Sequence, residues 1–352
     1  MSVYWVMLIL PVLFGLSSVK VDYNLKKLLL WMTGLVLVIL IGLRHEIGGD
    51  WFNYLDSSYG IRKGSSFDFS SFMTGDYGYR LIHWISVNHL NGIYSTNFIS
   101  ATFFVAGLIR FCRSMPIPWI ALFVSIPFLV VIVSMGYTRQ AAAVGLLMWG
   151  LIDLINGKKS NFYVFIIIGS LFHLSVLIML PVGFLYRRKF NFIAILSLFL
   201  VSVLIAIIVY FVFKDTIAHL IYFYITIEYM HSDGAVIRVL MSSFAATIFC
   251  IFYKKFKGEF NDERLWLIFS IVSIVLLPIA FFYSTFVDRV AIYFLPLQLV
   301  VFSRIPILIE SSYNRTLFIF GVIFIYVSTL FVWLNFGNFS SYWLPYQNII
   351  TA

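Results

Sequence analysis

The sequence predicts an all-α protein in which a bundle of about twelve helices, between about eleven and thirteen, crosses a membrane. Of its 352 residues, 62% are apolar and 11% are charged, whereas a soluble domain has roughly 45–50% apolar and about 25% charged residues. The mean hydropathy is +0.98. We therefore expect residues 1–352 to form a single transmembrane domain, and a soluble enzyme, a disordered chain and a disulfide scaffold are excluded.

Apolar runs separated by short polar breaks predict the spans. The expected spans are 3–17, 28–43, 94–112, 119–135, 138–156, 161–172, 174–186, 192–213, 236–253, 265–283, 290–303 and 316–334. The first run has no preceding Lys or Arg and no small-residue cleavage site, so it is expected to be a retained span and not a signal peptide. The stretch 161–186 is divided at Phe172-His173 into two half-spans, because one continuous helix would reverse the orientation of every later segment.

Charge predicts the orientation, since cytoplasmic loops carry an excess of Lys and Arg. With both termini outside, 16 of the 24 Lys and Arg fall on the inner side, including the basic cluster at 187–189. The two largest outer loops are then 44–93 and 214–235. Both are rich in aromatic residues, which is typical of segments at the membrane interface, and a short helix is expected at about 77–90.

The outer basic residues are mostly arginine. The six outer arginines are Arg44, Arg62, Arg80, Arg139, Arg238 and Arg289. Because the guanidinium group is planar and presents paired donors, it matches the oxygens of phosphate groups. Arginines that share one outward-opening cavity would bind a polyanion such as a lipid diphosphate, whereas single arginines at helix ends often snorkel to the interface.

Other polar residues lie beside these arginines. After the second span, Arg44, His45, Glu46 and Asp50 surround a Gly48-Gly49 pair whose backbone freedom would bring Asp50 near Arg44. The alternative there is a helix end with a local ion pair. Arg139-Gln140 opens the fifth span, before small residues that allow close helix packing, and an ordinary helix start is the alternative.

Two further segments carry candidate residues. His173 lies at the break between the half-spans, where it is either a hydrogen-bonded packing residue or a general base, because its pKa lies near neutral. Asp288 and Arg289 precede the eleventh span, with Tyr293 one turn later. Since adjacent helical positions point in different directions, we expect Asp288 to face water and Arg289 to face the site.

Several classes of chemistry lack their motifs. Cys112 and Cys250 are too far apart in the sequence to suggest a zinc site, and the trio Glu228, His231 and Asp233 matches no metal-binding loop. We therefore expect no metal and no cofactor. The sequence has no Walker A motif, Rossmann glycine fingerprint, H-E-x-x-H, G-x-S-x-G or Asp-x-Asp pair, which argues against ATP coupling, zinc proteolysis, serine hydrolysis and cytosolic nucleotide-sugar transfer.

Four short blocks resemble, in order, the EpsG/Wzy-like family of bacterial polysaccharide polymerases. The blocks are Arg44…Gly49-Asp50…Tyr54, Arg139-Gln140-Ala141, Phe172-His173-Leu174-Ser175 followed by Pro181, and Asp288-Arg289…Tyr293. The resemblance covers about 28–305. It departs from the expected pattern at Leu174, where we expect a small residue or Pro.

The resemblance implies a GT-C-like glycosyltransferase of the bacterial inner membrane, with its active site facing the periplasm. Such enzymes join polyprenyl-diphosphate-linked oligosaccharide repeats into O antigen, capsule or exopolysaccharide. The implied partners are undecaprenyl-diphosphate-linked glycans and membrane lipids, with a chain-length regulator and a flippase for lipid-linked repeats as further candidates. No nucleic acid is expected despite the net charge of +9.

The reaction assigns expected roles to these residues. Arg139, Arg289 and Arg44 would stabilise the leaving diphosphate in place of a metal. Asp50 is favoured over His173 as the base, with Glu46 and His45 as reserves. The remaining expected substrate-binding residues are Gly49, Tyr54, Arg80, Gln140, Arg238 and Tyr293. Trp51, Tyr54, Tyr79 and Tyr224 are expected to stack on sugars.

Three other functions stay open. A lipid-linked glycan ligase would use the same outer face and the same arginines. A transporter or flippase would need charges along a path through the membrane, and the spans here are apolar at their centres. A membrane acyltransferase would use a buried His and a cytosolic thioester-binding region, for which the inner loops are short.

Overall fold

The computed structural model describes residues 1–17, 22–61, 66–67, 76–186 and 234–350. The elements of regular secondary structure in these ranges are all helices, which confirms the predicted all-α class. An isolated antiparallel bridge joins Arg44 to Asn348. The predicted span at 192–213, the basic cluster at 187–189 and residues 214–233 of the second outer loop lie outside the described residues.

The N-terminal half contains nine α-helices among its described residues. They are α1 (Ser2–Leu16), α2 (Tyr23–Gly42), α3 (Trp51–Gly60), α4 (Tyr77–His89), α5 (Ile93–Arg113), α6 (Pro118–Ser125), α7 (Thr138–Ile155), α8 (Lys159–Ser170) and α9 (Leu180–Leu185). A π-helix, Ile126–Ser134, continues α6, and a 3-10 helix, Leu174–Met179, precedes α9. The helix expected near 77–90 is α4.

The described C-terminal half continues with five more α-helices. They are α10 (Ala235–Glu259), α11 (Glu263–Ala280), α12 (Ser284–Ala291), α13 (Pro296–Leu308) and α14 (Ser312–Phe336). A 3-10 turn, Ile292–Phe294, joins α12 to α13, and the two parts meet at 46°. Pro296 begins α13 and has no backbone N–H to continue the preceding helix, which explains the bend.

Six of the described helices are long and apolar enough to cross a membrane, or seven if the bent pair forms one span. The six are α2, α5, α7, α10, α11 and α14. Three shorter apolar helical segments are Ser2–Leu16, Pro118–Ser134 and Leu174–Leu185. The chain is therefore a membrane protein with six or seven candidate spans in its described part, fewer than the expected twelve.

The expected break at Phe172-His173 is confirmed. Helix α8 ends at Ser170, and His173 has an extended backbone with φ −156° and ψ 115°. Its carbonyl accepts a hydrogen bond from the Val176 N–H as the 3-10 helix begins. The break places His173 at the start of the 3-10 helix, where its backbone and side chain can form hydrogen bonds to other segments of the chain.

The closest helix contact lies between α5 and α7. A Cβ atom on Gly145 would lie 2.4 Å from Phe104 Cα, and one on Gly107 would lie 1.9 Å from the Gly145 carbonyl oxygen. Glycine is therefore required at both positions. This agrees with the expectation that the small residues after Arg139 allow close packing, as is common in membrane bundles.

The end of the chain folds back over the bundle end at which α2 ends and α7 begins, and we call residues 337–350 the C-terminal segment. The N–H groups of His45 and Ile349 donate to the carbonyls of Gln347 and Leu43, at 3.0 and 2.9 Å. The Tyr4 hydroxyl donates to the Trp343 carbonyl at 2.7 Å. The C-terminal segment thus joins α1 to the loop that follows α2.

Replacing Gly145 with Leu should prevent α5 and α7 from approaching. We expect the free energy of unfolding to fall by about 1–3 kcal/mol, because the backbone of Phe104 must move to admit the side chain. The measurement is thermal unfolding of the purified protein in detergent. Gly321→Leu in α14 is the matched control, since a Cβ there meets no atom within 4 Å. Equal unfolding temperatures for the two variants would contradict the packing argument.

Candidate active site

A cavity of about 830 Å³ opens at the end of the bundle where α2 ends and α7 begins. Its polar lining includes Gly49, Asp50, Asn53, Arg238, Asp288 and Arg289. Its apolar lining includes Phe128, Ile132, Ile237, Val332, Trp333 and Phe336. Such a lining suits an amphiphile that has a charged part and an apolar part.

A buried ion pair forms part of the polar lining of the cavity. Arg238 of α10 donates from Nε and Nη2 to the two carboxylate oxygens of Asp288, at 2.7 and 2.6 Å. Both side chains are less than a tenth exposed. The expectation that Asp288 faces water is wrong, because its carboxylate compensates the charge of an arginine from another helix.

The surroundings of the Arg289 guanidinium differ from those of Arg238. The guanidinium carbon of Arg289 lies 4.6 Å from the centre of the Tyr137 ring. In the described ranges no acidic side chain forms an ion pair with it, although its charge still acts on Asp50. A guanidinium that lines a cavity and stacks on an aromatic ring is suited to bind an anion.

Asp50 lies just before α3, at the N-cap position, and its side chain makes no capping hydrogen bond to the helix. Burial raises the pKa of its carboxyl group, and the positive charges of Arg289 and Arg139 oppose that increase. A carboxylate whose pKa is raised by burial is a better proton acceptor than an exposed one.

Gly48 fixes the loop that carries Asp50. It has φ +105°, and a Cβ there would lie 2.1 Å from the Met135 carbonyl oxygen. Its N–H donates to the Tyr342 carbonyl at 3.0 Å. Only glycine satisfies both the left-handed backbone and the close approach, so this position sets where Asp50 points.

A second polar cluster, the Asp76 cluster, consists of Asp76, Arg139 and His173. One Asp76 oxygen accepts from Arg139 Nη1 at 2.6 Å, and the other lies 3.2 Å from His173 Nδ1. Burial raises the pKa of Asp76, but the hydrogen bond from His173 and the charges of His173 and Arg139 outweigh it and leave the pKa lowered. Asp76 is therefore ionised at neutral pH and holds Arg139 and His173 together.

The model of the EpsG family matches residues 27–348 of the chain. The chain belongs to the EpsG family. The match confirms the resemblance drawn over about 28–305 and extends it through the C-terminal segment. None of the curated proteins and none of the solved structures matches the chain. Family membership supports a polysaccharide polymerase-type glycosyltransferase function and a membrane location.

The structure brings only some of the expected EpsG site residues into the cavity. Gly49, Asp50, Arg238 and Arg289 line it. Gln140 and Tyr293 lie behind it: Gln140 Nε2 donates to the Arg289 carbonyl at 2.7 Å, and the Tyr293 hydroxyl is 2.8 Å from the Ser175 hydroxyl. The hydrogen bond from Gln140 holds the backbone at the end of α12, whose last turn carries Arg289.

Arg44 does not line the cavity. Its side chain is 1% exposed, and it donates to the carbonyls of Ile41 and Ile47 and to the Thr138 hydroxyl, at 2.7, 3.1 and 2.7 Å. It thus satisfies backbone groups left free where α2 ends. Glu46 is half exposed and 3.8 Å from His45, and Arg80 is an exposed residue of α4.

The aromatic rings expected to stack on sugars are buried in the described part of the chain. Trp51, Tyr54 and Tyr79 are 2%, 6% and 5% exposed. Arg139 lies over Tyr54 and Tyr79, at 5.6 and 5.9 Å from the ring centres. These rings support Arg139, while Tyr224 lies outside the described residues.

Sequence reasoning missed Asp76 and the C-terminal segment. Asp76 immediately precedes α4 and has φ +53°. An acidic residue before a helix start is a common local feature, so nothing nearby in the sequence linked it to His173, 97 positions later. The C-terminal segment follows the last predicted span and carries no recognisable motif.

Arg44→Gln and Arg289→Gln should differ in stability. Arg44→Gln removes donors from buried carbonyl groups, and we expect it to cost about 1–3 kcal/mol. Arg289→Gln loses the contact with Tyr137, worth about 0.5–1 kcal/mol. The measurement is thermal unfolding of both purified variants, and a larger loss for Arg289→Gln would show that the two arginines have been assigned the wrong roles.

Proposed function

We propose that this EpsG-family protein is a polysaccharide polymerase that transfers a glycan from a polyprenyl diphosphate carrier to a sugar hydroxyl of the next lipid-linked repeat. One observation carries the proposal: a guanidinium without an acidic ion-pair partner in the described chain, Arg289, shares an amphipathic cavity with the partly buried carboxylate of Asp50.

Arg289 binds the leaving diphosphate in this proposal. Its charge is not consumed by an ion pair, whereas that of Arg238 is consumed by Asp288. A fixed donor in a site of low dielectric stabilises charge that develops on the leaving group without reorganising. The apolar residues that line the cavity accommodate the first isoprene units of the carrier.

Asp50 accepts the proton of the attacking hydroxyl. The hydroxyl oxygen forms a bond to the anomeric carbon, the bond from that carbon to the diphosphate oxygen breaks, and its electron pair leaves with the diphosphate. The raised pKa of Asp50 favours this proton transfer. No metal or cofactor enters this scheme.

The proposal has a cellular setting. The chain forms a single GT-C-like domain of about twelve spans in the bacterial inner membrane, with the cavity and the large loops 44–93 and 214–235 facing the periplasm. The product is O antigen, capsule or exopolysaccharide. Its partners are undecaprenyl-diphosphate-linked glycans and membrane lipids, together with a flippase that supplies the repeats and a regulator of chain length.

Arg289→Lys should reduce polymer formation by at least about tenfold, because Lys keeps the charge but loses the paired donors. The measurement is the glycan profile of a deletion strain that expresses the variant, with protein level checked in the membrane fraction. Arg264→Lys, on an exposed arginine of α11, is the control.

The same strain separates the two glycan-transfer functions. Single lipid-linked repeats in place of long chains indicate a polymerase, whereas long chains that stay on the carrier indicate a ligase. A normal polymer from Arg289→Lys would refute the role of Arg289 in binding the diphosphate.

Asp50→Asn should lower the rate by about 10²–10⁴-fold, as expected when a general base is removed. In the wild type, the rate should fall as the pH falls through the pKa of Asp50, because only the ionised form accepts a proton. Since burial raises that pKa, the fall should occur above the ordinary value of about 3.9. The measurement is a pH–rate profile of the purified enzyme. Asp56→Asn, at an exposed position of α3, should leave the profile unchanged, and an active Asp50→Asn enzyme would exclude Asp50 as the base.

A further inference from the structure

The C-terminal segment places two accessible aromatic rings at the cavity. Phe339 and Tyr342 both line it and are 52% and 44% exposed. Their ring centres are 6.3 Å apart and their planes meet at 26°. The rings are thus close to parallel and lie together in the lining of the cavity.

The backbone beneath these rings is fixed on two sides. The Tyr342 carbonyl accepts from the N–H of Gly48, two residues before Asp50. The neighbouring Trp343 is 4% exposed, and its indole N–H donates to the Val131 carbonyl at 2.9 Å. A surface held in this way keeps a constant relation to Asp50.

Aromatic rings accessible beside a carboxylate are suited to bind a sugar. The C–H face of a pyranose ring packs against the electron-rich face of an aromatic ring, while its hydroxyl groups remain free at the edge. The rings first expected to do this, Trp51, Tyr54 and Tyr79, are buried. Phe339 and Tyr342 are exposed and lie at the cavity itself.

We propose that Phe339 and Tyr342 form a subsite for the sugar that is attached to the diphosphate of the lipid-linked donor. This proposal rests on the proposed function. It assigns the C-terminal segment to substrate recognition: the diphosphate binds at Arg289, and the first sugars bind at the aromatic pair.

The test compares two ligands that differ only in the glycan. They are undecaprenyl diphosphate and the lipid-linked repeat isolated from a deletion strain. Native mass spectrometry of the full-length protein in detergent gives the dissociation constant of each. The variants are Phe339→Ala, Tyr342→Ala and Tyr342→Phe, with Phe324→Ala as control, since Phe324 is an exposed aromatic residue of α14 that does not line the cavity.

We expect each alanine variant at the subsite to weaken binding of the lipid-linked repeat by about fivefold and to leave undecaprenyl diphosphate unaffected. Tyr342→Phe keeps the ring and should bind both ligands as the wild type does, and so should Phe324→Ala. Equal weakening of both ligands, or of neither, would overturn the subsite. Failure of the wild type to bind undecaprenyl diphosphate would instead refute the proposed function.

Discussion

The site depends on how the backbone of residues 43–49 is held. This stretch follows α2 and would by itself be a surface loop with unsatisfied carbonyl groups. The buried Arg44 guanidinium supplies donors from inside the loop, and the C-terminal segment pairs with it from outside. Asp50 follows directly, so the loop that carries it is held by both contacts, which favours its proposed role as a general base.

Charge compensation distinguishes arginines that look equivalent in the sequence. Arg238 is neutralised by Asp288, and Arg139 by Asp76. Arg44 donates to carbonyl and hydroxyl oxygens, none of which carries a full charge, but its donors are occupied. Only a cation whose donors are still available gains much from binding an added anion, and among these four arginines Arg289 meets this condition. The proposed diphosphate site therefore rests on Arg289.

Much of the fold could be predicted from apolar runs, because a membrane helix leaves a strong periodic and compositional signal. The break before Leu174 also followed from charge, since a continuous helix would have placed basic residues on the wrong side. The sequence carries no such signal for which face of a helix packs against its neighbours. The contact of Asp288 with Arg238 depends on which face of α12 meets α10, and adjacent residues on a helix give no rule for that choice.

The candidate site was predictable in residue type but only partly in grouping. Gly49, Asp50, Arg238 and Arg289 were expected and share the cavity. The partner of His173 was missed, because the ion pair with Asp76 joins a helix break to a helix start almost a hundred positions away. A local motif identifies residues that are adjacent in the sequence, whereas a hydrogen bond between distant residues depends on how the helices pack together.

The mixed lining of the cavity favours an amphiphilic ligand. Asp50 and Arg289 line it, and so do Val332 and Phe336 of α14, which are 49% and 73% exposed. A charged group is costly against apolar side chains and better solvated beside polar ones. In the proposed reaction, the phosphates of the carrier bind at Arg289 and its chain follows the apolar residues of α14. The lining would then orient the donor before any specific contact with the glycan is made.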